Sequence, residues 1–144
     1  MVSYRHSVDP TLFDRLRQLN LPAQGYAVFG SGPLAIRGIV PLSNDLDILC
    51  REEVWNIVSQ IGTVEFLPEY DVTVVALSDG ALTFGMKWGI GNFDVDELIA
   101  TAEIIDALPF VRLEHVITYK KIRSNTKDLL HLELNSQRQS RRYS

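Results

Sequence analysis

The chain predicts an α+β fold, a small mixed β-sheet flanked by helices, and three observations carry that expectation. Two strand-like runs, Tyr26–Phe29 and 45–50, are joined by a Gly-Ser-Gly turn and one short helix. Two more, 72–77 and 81–88, flank Ser78-Asp79-Gly80, and Asp-Gly is a strong hairpin signal. Stretches with helical apolar spacing stand before, between and after these runs, so helices cover a small sheet rather than alternate regularly with its strands.

Whole-chain properties frame this expectation. The 144 residues suggest one domain, read as 1–137 with a polar, basic tail at 138–144. With 46% hydrophobic and 22% charged residues, the composition is that of an ordinary globular protein. A net charge of -4 argues against a general nucleic-acid coater, while leaving room for a local basic groove. The single cysteine, Cys50, allows no internal disulfide and no cysteine zinc site, which fits a reducing, cytoplasmic setting. The first ten residues carry no apolar signal core and no run reaches membrane-spanning length, so no membrane partner is expected.

Taken in order, Asp9-Pro10 reads as a helix start, with Leu12, Phe13, Leu16 and Leu19 as its apolar face to about Asn20. Residues 26–29 form a buried strand. Gly30-Ser31-Gly32-Pro33 is a turn, followed by a helical turn at 34–37 that Gly38 and Pro41 end. On strand 45–50, Leu46, Ile48 and Cys50 share one face, and Asp45, Asp47 and Leu49 the other. Val54, Trp55, Val58 and Ile61 mark a helix over 51–61, with Glu52 and Glu53 favoured in its first turn. Residues 64–67 suit a short edge strand. Asp94 caps a helix expected to reach about Asp106, with Glu97 in the capping-box position. A short extended piece at 107–111 and a helix at 113–123 follow. After the break at Ser124-Asn125, Thr126 caps a last helix to about Leu134, and the remaining tail is expected to fray.

Chemistry concentrates between residues 26 and 50. A glycine turn between a strand and a helix exposes backbone N–H groups, and Ser31 adds a hydroxyl, which together suit phosphate. The plainer alternative is a tight turn. Asp45 and Asp47, two apart on a strand, point the same way. Close carboxylates repel, and a divalent cation such as Mg²⁺ relieves them, binding through one or two carboxylates plus phosphate oxygens. A solvated strand face, or a cap for the helix at 51, is the alternative. Gly30-Ser31-Gly32-Pro33-Leu34-Ala35 also matches the dinucleotide fingerprint, with Asp47 near the ribose-binding acid. Gly38 and Pro41 leave no room for the crossover helix which that fold requires, and no further βαβ units follow.

Taken together, Gly30-Ser31, Ala35-x-Arg37-Gly38 and Asp45-Leu46-Asp47 resemble the signature of minimal nucleotidyltransferases in the polymerase-β-like superfamily. Tyr119-Lys120, then Lys127-Asp128 and His131, are similar to the C-terminal segment of AbiEii-type, toxin-like members. The resemblance implies a nucleotidyltransferase-like fold that moves a nucleotide from an NTP to a hydroxyl of protein, RNA or a small molecule. It implies Mg²⁺ held by Asp45 and Asp47. Gly30, Ser31, Arg37 and Asp128 would meet the nucleotide, and Lys120 and Lys127 would supply charge at the catalytic site. A toxin role would bring an antitoxin partner, and a homo-oligomer is the other partner considered. The resemblance would also place a third carboxylate on strand 82–88, which has none; Asp71, Asp79, Asp94 and Asp96 are the nearby acids. A catalytically inactive relative that binds nucleotide or a partner protein is therefore the alternative function. For Lys120, Lys121 and Arg123 a solvated helix face is the plainer alternative, while His131 reads as a helix-face histidine and Trp55, Trp88 and Cys50 as core.

Overall fold

The computed structural model describes residues 11–88 and 91–142. It is an α+β fold in which a seven-stranded mixed sheet, β1 (Tyr26–Phe29), β2 (Leu46–Cys50), β3 (Thr63–Leu67), β4 (Val72–Leu77), β5 (Leu82–Gly85), β6 (Glu103–Ile105) and β7 (Leu108–Phe110), runs in the order β3-β4-β5-β2-β1-β7-β6. The helices are α1 (Leu12–Gln18), α2 (Gly32–Ala35), α3 (Glu52–Val58), α4 (Val95–Ala100), α5 (Leu113–Arg123) and α6 (Thr126–Arg142).

The centre of the sheet is apolar on both faces because helices cover both. On one face Val28, Ile48 and Phe84 pack with Phe13 and Leu16 of α1 and Val54 and Val58 of α3. On the other, Ala27, Phe29 and Leu49 pack with Leu98 and Ile99 of α4 and Val116 and Tyr119 of α5. Leu49 is thus core, while Asp47, two residues earlier on the same face, lies where that covering stops. β1 and β2 are antiparallel, pairing Phe29 with Asp47, which excludes the dinucleotide crossover. β2 pairs in parallel with β5, setting Asp47 beside Thr83. The expected edge strand is β3, and the expected hairpin joins β4 to β5 with Ser78, Asp79 and Gly80 all at positive φ.

Several boundaries differ from the sequence expectation: β5 stops at Gly85 instead of Trp88, α3 at Val58 instead of about Ile61, and four helix ends shift more tellingly. The Asp9-Pro10 start lies outside the described residues. Thr11 caps α1, in a reciprocal capping box with Asp14. The helix begun at Asp94 ends at Ala100 instead of Asp106, and 103–110 form the hairpin β6–β7 over a two-residue turn, Asp106 and Ala107, both at positive φ. There the side-chain pattern fits both periods, and pairing of β7 with β1 decides between them; Arg112 Nε donates to the Thr101 carbonyl (2.7 Å) beyond the helix end. Asn125, not Thr126, caps α6: its Oδ1 accepts from the Asp128 N–H (2.8 Å), and its own N–H donates to Asp128 (3.3 Å). Finally, α6 runs to Arg142 instead of ending near Leu134. No Gly or Pro interrupts it, and Gln137 donates to Glu133 one turn back (3.3 Å).

Candidate nucleotide-binding cleft

Where α4 and α5 leave the sheet uncovered there is a cleft of about 320 Å³. Asp47 and Thr83 line it from the sheet, Asp45 from just before β2, Tyr119, Arg123 and Lys127 from α5 and α6, and Ser31 from the turn after β1.

The turn's glycines have specific reasons. Gly30 sits at φ +61°, and a Cβ there would lie 3.1 Å from Asp47 Oδ2. A Cβ on Gly32 would meet Val28 Cγ1 at 2.3 Å. Between them, Ser31 makes no side-chain cap to its own helix. Its hydroxyl instead accepts from Lys120 Nζ (3.1 Å) and pairs with His131 Nδ1 (3.2 Å).

Lys120 and Asp128 have fully buried side chains, 3.3 Å apart. Asp128 also receives Arg123 in a two-pronged pair, Nε to Oδ2 at 2.6 Å and Nη2 to Oδ1 at 2.7 Å. Arg123 Nη1 donates to the Tyr119 hydroxyl (3.2 Å), and its guanidinium lies 5.0 Å from that ring's centre. Burial works to raise Asp128, but the hydrogen bond and charge of Arg123, with Lys120 behind them, outweigh it and hold the carboxyl below its usual range. Burial lowers Lys120, with Asp128 opposing. Burial, then the neighbouring charge of Lys120, pushes His131 down to about 4.

The acidic wall is different. Burial, then the charge of Asp45, pushes Asp47 up to about 6, although Arg123, Lys127 and Lys120 pull the other way. Ser43 Oγ anchors Asp45 by donating to its carbonyl (2.8 Å). Asp45 and Asp47 are hard oxygen donors on adjacent alternate positions, a set that fits one Mg²⁺ completed by ligand phosphate. Among the described residues no group of three or more His, Cys, Asp or Glu forms a larger metal-binding cluster.

Asp45, Asp47, Ser31 and Lys127 therefore come together as the sequence suggested, with Gly30 against Asp47. Lys120 and Asp128 stand behind the cleft, closed to direct contact with a ligand, and act through Ser31 and Arg123. Arg37 is not brought to the cleft; its guanidinium donates to the Pro33 carbonyl (2.5 Å) and to Glu103 (3.0 Å). Arg123 and His131, read from sequence as helix-face residues, belong to the site's network, and the spacing of Lys120, Arg123 and Asp128 around a helix break is the signal that could have found Arg123. Thr83 occupies the β5 position beside Asp47, and among the described residues no carboxylate other than Asp45 and Asp47 lines the cleft. Lys87 is exposed and outside it.

No family model, curated protein or solved structure matches the chain. Among the described residues, no helix is long and apolar enough to cross a membrane. Fold and cleft together define a class only: a small α+β domain with paired carboxylates facing a basic helical wall.

Proposed function

We propose that the chain is a Mg²⁺-dependent nucleotidyltransferase, moving a nucleotide from an NTP to a hydroxyl of protein, RNA or a small molecule. The observation that carries this is the cleft itself, in which Asp45 and Asp47 face Lys127 and Arg123 with Ser31 between the two walls. A triphosphate needs cations or donors along its length, and a carboxylate pair with Asp47 pushed up to about 6 needs a cation of its own.

In this reading Asp45 and Asp47 would hold Mg²⁺, and the ion would supply charge neutralisation at the phosphate oxygens. Lys127, on the first turn of α6, meets phosphate as a mobile point charge. Ser31 donates to a phosphate oxygen beside it. Arg123 is clamped by Asp128 and keeps its positive charge at the cleft edge. Tyr70, half-buried at the cleft, offers aromatic surface for the base or the acceptor.

Thr83 favours a second reading. A threonine beside Asp47, with no third acid in the cleft among the described residues, suits a protein that binds nucleotide or a partner without turnover. Thermal shift tests the site first. An NTP with Mg²⁺ should raise the melting temperature, and Asp45→Asn with Asp47→Asn should abolish the rise; no shift with any NTP sinks both nucleotide readings. Labelled NTP then separates enzyme from binder, since binding without transfer to any acceptor supports the second. Growth arrest on expression, relieved by the same double substitution, would support a toxin-like role and the search for an antitoxin.

A further inference from the structure

Ser31 stands between two side chains with unequal freedom. Lys120 Nζ, an ammonium, can only donate, so at 3.1 Å the Ser31 oxygen must accept from it. One lone pair and one hydrogen remain on that hydroxyl. His131 Nδ1, at 3.2 Å, can take either of them depending on which ring nitrogen carries the proton. If Nδ1 accepts, the Ser31 hydrogen is spent on it and the cleft receives none. If Nδ1–H donates, Ser31 accepts twice and its hydrogen is left for the cleft it lines.

We propose that His131 is a positioning residue whose Nδ1–H donates to Ser31, so that with Lys120 it turns the Ser31 hydroxyl hydrogen toward an anionic phosphate oxygen in the cleft. This rests on the reading of the cleft as a polyphosphate site. Two further observations support it. Ser31 does not cap its own helix, so both of its oxygen lone pairs are left to accept from Lys120 and His131. His131 is 5% exposed, and burial with the charge of Lys120 keeps its ring neutral at ordinary pH, so it has one N–H to place. A neutral ring beside a buried ammonium sets a hydroxyl without adding charge to the pocket.

The full chain tests this with two probes, inorganic tripolyphosphate and an NTP, each with Mg²⁺. Ser31→Ala and His131→Ala should each weaken binding roughly tenfold, the size expected for one hydrogen bond to a charged group. In the Ser31→Ala background, His131→Ala should add less than about twofold, because its effect passes through Ser31. His131→Asn, whose amide can donate from near the Nδ1 position, should recover most of the affinity; His131→Gln, which reaches the Nε2 position, should not. Additive losses, or Asn no better than Gln, overturn the proposal while leaving the nucleotide reading intact. Coupled losses for tripolyphosphate with no NTP binding support the proposal and sink the nucleotide reading. A wild-type chain that binds neither probe overturns both. Ring ¹⁵N shifts of wild-type His131 provide a check that needs no variant: a protonated Nδ1 supports the proposal and a protonated Nε2 overturns it.

Discussion

The two walls of the cleft solve the problem of buried charge in opposite ways. On the helical wall every buried charge has a partner within the protein, with Asp128 gripped by Lys120 and Arg123 and His131 kept neutral. On the sheet wall Asp47 is raised to about 6, burial and Asp45 outweighing the cations opposite. One wall is electrostatically complete and serves as support. The other keeps a buried carboxylate whose ionisation its neighbours do not fully offset, a strain that a proton or a bound cation would relieve.

Removing Asp128 should break this contrast most severely. Asp128→Ala leaves Lys120 charged and buried without its partner and releases Arg123, at a cost of about 3–5 kcal/mol. For a chain of this length that is a fall in melting temperature of about 10 °C or more. A loss under a few degrees would show that the helical wall is not held by this network.

Asp47→Asn should do the reverse and stabilise the protein above pH 6 by on the order of 1–3 kcal/mol, while abolishing the response to NTP and Mg²⁺. A pH series sharpens the point. Asp47 binds its proton more tightly folded than unfolded, so the cost of ionising it is absent at low pH, grows from about pH 4 and is complete above about pH 6. His131, lowered to about 4 from 6.5, acts oppositely: stability is lost as pH falls from 6.5 toward 4, because the unfolded chain takes up that proton first. In the wild type these slopes offset each other. Asp47→Asn should expose the His131 slope, with stability rising from pH 4 to 6.5, as chemical denaturation along the pH series would show. A flat profile in the variant would remove the contrast between the walls.

The smallest effect expected comes from Thr83→Asp. Thr83 sits beside Asp47 and its hydroxyl makes only a long contact to the Gly80 carbonyl (3.4 Å), so little structure is lost. A third carboxylate should tighten Mg²⁺ binding by roughly tenfold, one more charged oxygen ligand being added, and lower metal-free stability by about 1 kcal/mol through repulsion. Magnesium titration followed by calorimetry measures both. Unchanged affinity would mean that Asp47 does not face a metal.

Most of the strands and the carboxylate pair were legible in the chain because their signals are local. Asp47 on β2 and Asp45 just before it both line the cleft, Asp-Gly makes the hairpin, and Gly30 and Ser31 end a buried strand. The misread pieces are those where two local patterns coexist. Residues 103–105 fit both a helix stripe and a strand, and only pairing of β7 with β1 selects the second. Arg37 shares its segment with the Gly-Ser turn yet pairs with Glu103 on β6, an element the sequence expectation had made helical.

Local periodicity and turn chemistry were thus enough for the α+β class, the Gly-Ser-Gly turn and the two aspartates, since each depends on residues within a few positions of one another. Tertiary packing alone decided what those residues face. Lys120 lies 89 residues from Ser31, and His131 lies 100 from it. Nothing in either stretch states that the lysine is buried as support, that Arg123 is clamped at the cleft, or that Thr83 stands beside Asp47. Those outcomes follow from strand order, and from the rule that a charge withdrawn from water must find a partner, wherever in the chain that partner is.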